Sequence, residues 1–151
     1  CARAKDWPAS VTFVHSRAED LADAGVTGPF DGVLAAYLVR NLSDPDTVLK
    51  SLRSLMSPGA VFAAHEYSVR DSRVATAIWN AVSWAIIIPA GRLRTGDAEL
   101  YRYLRRSVND FDGASEFCDR LQRNGFVDVR SETVSGWQRN IVHTFLAHAP
   151  R

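Results

Sequence analysis

Cysteine is nearly absent: only Cys1 and Cys118 stand among 151 residues. Two thiols cannot build a disulfide framework, so a reducing, cytoplasmic setting is expected. Cys118 falls in a helical pattern and reads as a small core residue. Charge of one sign is also lacking, with 18 Lys and Arg against 17 Asp and Glu. That balance excludes the basic stripe of a nucleic-acid binder. No stretch has the ligand spacing of a metal site, and no metal is expected. The longest apolar run, Val74 to Ala90, is interrupted by Asn80 and Ser83. It falls short of the roughly 20 apolar residues that span a bilayer. No signal peptide, repeat or low-complexity tract is visible. The first residue is Cys rather than Met, which reads as a processed or truncated product. The lack of a polar linker before the first strand argues against a lipid-anchored Cys1.

What is there alternates. Val11 to His15 is a short β-branched and aromatic run, expected to be a strand. Phe30 to Tyr37 is an apolar run, expected to be a strand buried on both faces. Asp44 then suits an N-cap, Pro45 the first helical position, and Asp46 the positive end of the helix dipole. Val48, Leu49, Leu52, Leu55 and Met56 follow helical spacing, and Ser57-Pro58-Gly59 ends the helix. Ala60 to Tyr67 is the next expected strand. Helices are expected over Ser72 to Ile88, ended by Pro89 and Gly91; after a cap at Asp97; and from a cap at Asp112 to a stop at Gly125. Phe126 to Val134 and Asn140 to His148 are closing strands, whose short connection requires antiparallel pairing. The result is a mostly parallel α/β sheet with right-handed crossovers and an antiparallel terminal hairpin.

Four stretches, in order, resemble the UbiE-type quinone methyltransferases, a family of class I S-adenosylmethionine-dependent methyltransferases. Phe30-Asp31-Gly32 with Arg40-Asn41-Leu42-Ser43-Asp44 is similar to the family's F-D and R-N-x-x-D block. Leu55-Met56-Ser57-Pro58-Gly59-Ala60 with His65-Glu66-Tyr67-Ser68 is similar to L-K-P-G-G and L-E-F-S. Gly96-Asp97 with Tyr101-Arg102-Tyr103-Leu104 is similar to N-D and Y-x-Y-L, and Asn124-Gly125-Phe126 to A-G-F. The likeness runs from about Val11 to the end, and the Arg-Asn and Tyr-x-Tyr-Leu blocks are its more specific parts. It implies a Rossmann-like class I methyltransferase fold over residues 1–151, partial, with a lid or substrate insertion at about 69–110.

The departures carry consequences. The family's first strand, its glycine-rich turn toward the cofactor and its acidic ribose ligand would all precede Cys1, and no G-x-G occurs in the chain. After the Val11 strand the family has Asp or Asn followed by Ala at the adenine. Arg17-Ala18-Glu19-Asp20 stands there, so Ala18 and Glu19 are the positions the resemblance assigns to S-adenosylmethionine, with weak or no binding expected. The fold should lack its first two strands, which would lie between the Val11 and Phe30 strands. An apolar edge left open seeks a partner. Either those two strands pair directly, or the chain forms a homodimer through that edge.

Methyl transfer needs in-line approach and charge stabilisation at the acceptor. Sites in open α/β sheets lie beyond the carboxyl ends of the strands, where Arg40, Asn41, Glu66 and Tyr67 fall. Arg40 is the candidate to stabilise a developing phenolate, with Asn41 to orient it. Each of these residues also has a structural reading, as loop, cap or strand-end group. The resemblance makes Glu66, Tyr101 and Tyr103 candidates for binding a phenolic or quinol substrate. His65 is a weaker candidate general base, and His143 reads as packing. The segment from Ala77 to Ile88 is implied to be a lid over an isoprenoid-bearing substrate, with possible peripheral membrane contact.

Three functions compete. The first is C-methylation of a quinol or other phenolic ring by the full-length protein, as in menaquinone or ubiquinone biosynthesis. The second is a non-catalytic, dimerising remnant that holds no cofactor. The third, a nicotinamide oxidoreductase, needs a Tyr-x-x-x-Lys pair. Tyr101 to Arg105 ends instead in an arginine, whose charge cannot be tuned the same way.

Overall fold

Asp44 starts the first helix as its sequence predicts. Its side chain accepts the Thr47 backbone N–H at 3.1 Å and the Thr47 hydroxyl at 2.6 Å, and α1 follows over Pro45–Ser54. The computed structural model describes residues 11–151, so Cys1 lies outside the described residues. The other helices are α2 (Arg73–Val82), a π-helical segment (Ser83–Ile87), α3 (Ile88–Thr95), α4 (Glu99–Asp110) and α5 (Ala114–Arg123). The strands are β1 (Phe30–Ala36), β2 (Met56–Tyr67), β3 (Val127–Thr133) and β4 (Val142–His148), in the order β1-β2-β4-β3. β1 and β2 run parallel. β4 is antiparallel to both β2 and β3, the closing hairpin that a short connection demands.

Apolar spacing builds two cores. Val48, Leu49 and Leu52 of α1, Phe117 and Leu121 of α5, and Phe62 and Phe145 of the sheet bury together. Phe117 meets Phe145 edge-on at 4.7 Å. Full burial of such a ring stabilises by about 2 kcal/mol. A second cluster joins Val69, Trp79, Val108 and Ile141, and holds α2 and α4 over one end of the sheet. Cys118 packs partly buried against the first core, and burial pushes its thiol up.

The structure departs from six of these expectations. Val11 to His15 is not a strand: residues 11–17 carry no regular structure and are exposed. Parallel pairing with β1 would require a crossover of a dozen or more residues, usually helical. Residues 16–29 instead contain the 3₁₀ turn Ala18–Asp20, and Ala18 and Leu21 pack on the first core. The expected repair by direct pairing of these strands therefore does not occur. Among the described residues β1 is an edge strand rather than one buried on both faces, with Ala35 buried and Leu34 74% exposed.

The helix from Arg73 does not stop at Pro89 or Gly91. It runs 23 residues to Thr95, and Gly96, at φ 75°, ends it. Pro89 has no N–H to donate, and the wider π turn just before it accommodates the break. Gly91 serves as a flat seat, because a Cβ there would run into the Tyr101 ring. This helix is long and apolar enough, by length and composition, to cross a membrane. That corrects the expectation of a run too short to do so. Lastly, Asp112 does not cap α5. Asp71 does so from a distance, accepting the Ser115 N–H at 2.7 Å. Asp112 instead grips Arg120 at 2.5 Å, and Arg120 reaches Asp46 of α1 at 2.6 Å.

Candidate active site

The sheet's parallel strands end beside one another, and Tyr37, Arg40, Glu66 and Tyr67 gather at their carboxyl ends. Tyr37 leaves β1 with φ 54° and donates its N–H to the His65 carbonyl at 2.9 Å. A positive φ in a bulky residue is uncommon and marks a constrained position. The 3₁₀ turn Val39–Asn41 follows at once. It swings Arg40 back over β2, where its Nη1 donates to Glu66 Oε2 at 2.6 Å. The two side chains are only 9% and 0% exposed. Burial pushes the Glu66 carboxyl up, and the Arg40 charge opposes this. Glu66 Oε1 and Arg40 Nε are buried without hydrogen-bond partners. Backbone N–H groups of Val39 and Arg40 also favour the ionised Glu66, so the pair is tightly held, and removing either member would strand a buried charge.

An aromatic wall backs the pair. Tyr37 stacks on Tyr67 at 5.2 Å, and the Arg40 guanidinium carbon lies 5.5 and 5.8 Å from their ring centres. Tyr67 in turn meets Trp79 of α2 at 5.1 Å. Burial pushes the Tyr67 hydroxyl up, and neighbouring Tyr37 adds to the shift.

Asn41 is held from two sides. Its Nδ2 donates to the Tyr37 carbonyl at 2.9 Å, and its Oδ1 accepts the Tyr103 hydroxyl from α4 at 3.0 Å. A cavity of about 310 Å³ opens here, lined by Arg40, Asn41, Leu100, Tyr101, Tyr103 and Leu104. A second, of about 350 Å³, shares Arg40 and Tyr103 and extends toward Ser107 and Asp110.

The structure therefore brings Arg40, Asn41, Tyr101 and Tyr103 to one cavity, with Glu66 bonded beneath Arg40. It does not bring Ala18 and Glu19 there. Ala18 packs on the first core, and Glu19 pairs with Arg17 at 3.6 Å. His65 Nδ1 lies 3.0 Å from the Thr144 hydroxyl and meets Tyr37 edge-on. His143 is buried, bonded to Ser131 and stacked on Phe145, and burial lowers its pKa. Sequence reasoning passed over Tyr37. Its signal was an aromatic at a strand end, three residues before Arg40.

Residues 2–144 match the ubiE/COQ5 methyltransferase family. The chain belongs to this family. Among curated relatives, the ubiquinone/menaquinone biosynthesis C-methyltransferase UbiE of Bradyrhizobium diazoefficiens is 34% identical over 126 residues, 83% of this chain and 49% of that protein. The enzyme of the same name from Nitrobacter hamburgensis matches at the same identity and coverage. The chain thus spans about half the length of the curated relatives it matches. Among solved structures, the CurJ carbon methyltransferase gives a TM-score of 0.57 at 18% identity, over 89% of this chain and 34% of that one. An arsenic(III) S-adenosylmethionine methyltransferase from Chlamydomonas reinhardtii gives 0.57 at 16% identity, over 93% and 44%. These likenesses establish the fold as that of class I S-adenosylmethionine-dependent methyltransferases.

Proposed function

We propose that this stretch of the family forms the acceptor side of an S-adenosylmethionine-dependent C-methyltransferase for a quinol or other phenolic ring. The observation that carries this is the Asn41–Tyr103 bond beside Arg40, at the rim of a cavity that also holds Tyr101. Asn41 and Tyr103 offer polar partners to a ring hydroxyl, and the tyrosines offer faces to stack on. Arg40, immobilised by Glu66, favours the phenolate over the phenol at that oxygen. Residues 69–110 serve as the lid over the ring. A reducing, cytoplasmic setting fits the two cysteines.

The cofactor itself supplies an activated methyl group. The described residues do not by themselves form its cradle. The chain has no G-x-G turn; Ala18 packs on the first core and Glu19 pairs with Arg17. Calorimetric titration of S-adenosylmethionine into this chain, and into one extended upstream with a family member's glycine-rich half, tests the reading. Binding by the extended chain alone is expected. Binding by neither would defeat it.

One observation favours a second reading, a non-catalytic dimer. Among the described residues β1 pairs on one side only and shows Leu34 to solvent, and an open apolar edge recruits a second copy. Sedimentation equilibrium would then show a dimer that Leu34→Lys dissociates.

A further inference from the structure

A ring held at Asn41 and Tyr103 has polar space beside it for a substituent. The neighbouring cavity of about 350 Å³ shares Arg40 and Tyr103 with the acceptor cavity. The apolar groove between α3 and α4, about 720 Å³ and lined by Trp84, Ile88 and Leu93, shares no lining residue with it. A short arm on the ring therefore enters the polar cavity, and the walls of that cavity decide which arm is accepted.

The donors of those walls are already engaged. Arg40, Arg106 and Arg120 all line the cavity. Arg40 is held by Glu66 at 2.6 Å, and Arg106 by Glu99 at 2.6 Å. Arg120 lies between Asp112 at 2.5 Å and Asp46 at 2.6 Å. Pro45 brings the positive end of α1 to the same wall, but Asp44 and Asp46 already face it.

What remains free is an acceptor. Asp110 is exposed, and its carboxylate forms no ion pair or hydrogen bond among the described residues. It is the last residue of α4, and an acid is disfavoured at that negative end of a helix. Tyr103, Ser107 and Asp110 stand at i, i+4 and i+7 on one face of α4, about 10 Å from first to last. The Tyr103 and Ser107 hydroxyls give their protons to Asn41 and to the Leu104 carbonyl, which leaves both oxygens able to accept. With their partners, the three guanidinium groups meet four carboxylates, and Asp110 is a fifth. An anionic arm would enter against that excess, whereas a cationic one is drawn to it.

We propose that the acceptor is a phenol bearing a short amine arm, with its ring at Asn41 and Tyr103 and its ammonium on Asp110. This presupposes that a phenolic ring is the acceptor, as proposed above. Tyramine, tyrosol and phloretate test it, because they share one ring and one short spacer and end in an ammonium, a hydroxyl and a carboxylate. Each is titrated into the isotope-labelled chain, beside 2-naphthol, and the amide resonances give affinity and place. Tyramine should bind about fivefold more tightly than tyrosol, the upper reach of a partly exposed ion pair, and phloretate most weakly. Tyramine alone should shift Asp110 together with Asn41 and Tyr103. Asp110→Asn should bring tyramine down to the level of tyrosol and melt no lower than the parent, since it removes an acid from the end of α4. Glu132→Gln, an exposed acid on β3, should leave the preference intact.

Equal affinity for tyramine and tyrosol, tighter binding of phloretate, or a preference that survives Asp110→Asn would each overturn the amine arm. Binding of 2-naphthol at Asn41 and Tyr103 without any of the three arm-bearing phenols would do the same and leave the phenolic acceptor standing. No binding by any of the four would defeat both.

Discussion

The Tyr103 hydroxyl donates to Asn41 Oδ1 at 3.0 Å, joining α4 to the turn after β1 across 62 residues of sequence. Through that one bond the helical cover is tied to the end of the sheet. Tyr103 is half exposed, so the bond should contribute about 1 kcal/mol or less. Urea unfolding of Tyr103→Phe, Asn41→Ala and the double variant should give a cycle in which the two losses are less than additive. Strict additivity would mean that the bond contributes nothing in solution.

Arg40 and Glu66 make a sharper test. Removing one member strands the other charge in the interior, which typically costs about 3–5 kcal/mol. Arg40→Met should therefore unfold at much lower urea than the parent. Arg40→Met with Glu66→Leu should recover most of that loss, since apolar replacement of a buried pair is often neutral. Denaturation curves of the three proteins read the result directly.

Gly91→Ala inverts the usual rule. In an ordinary helix interior this change stabilises by about 1 kcal/mol. Here the added Cβ meets the Tyr101 ring, and overpacking typically costs about 1–3 kcal/mol. A lower melting temperature is expected, rescued in part by Tyr101→Ala. A higher one would show that α3 and α4 do not pack as described.

His143 should give the fold an acid limit. Burial lowers its pKa below the ordinary 6.5, so the unfolded chain takes up a proton more readily than the folded one. The stability from the neutral ring is complete above 6.5 and is lost as pH falls toward the folded value. Glu66 acts with the opposite sign. Its raised pKa makes stability fall as pH climbs from its ordinary 4.5. The comparison is therefore between parent and His143→Gln, and the slope below pH 6.5 should be shallower in the variant.

Much of the fold was legible because it depends on local chemistry. Asp44 and Pro45 opened a helix, Gly125 closed one, and a short connection forced the final strands antiparallel. The misreadings came from long-range partners. Val11 to His15 has strand composition, but no neighbouring strand accepts it. Pro89 has the look of a helix stop, and only the π turn beside it allows passage. Asp112 resembled a cap until Arg120 claimed it, leaving Asp71, more than 40 residues upstream, to do the capping. At the candidate site, Arg40, Asn41 and Glu66 were marked by their place at strand ends. The Tyr37–Tyr67 stack was not, because it needs the parallel register to bring the two rings together.

The central claim is that a phenolic ring is received beside Arg40, Asn41 and Tyr103. Titrating 2-naphthol into isotope-labelled protein and following the amide resonances addresses it most directly. The account predicts shifts concentrated at Arg40, Asn41, Tyr101 and Tyr103, and their marked reduction in Asn41→Ala. Shifts confined to the groove beside Trp84 and Leu93, or no shifts at all, would contradict it.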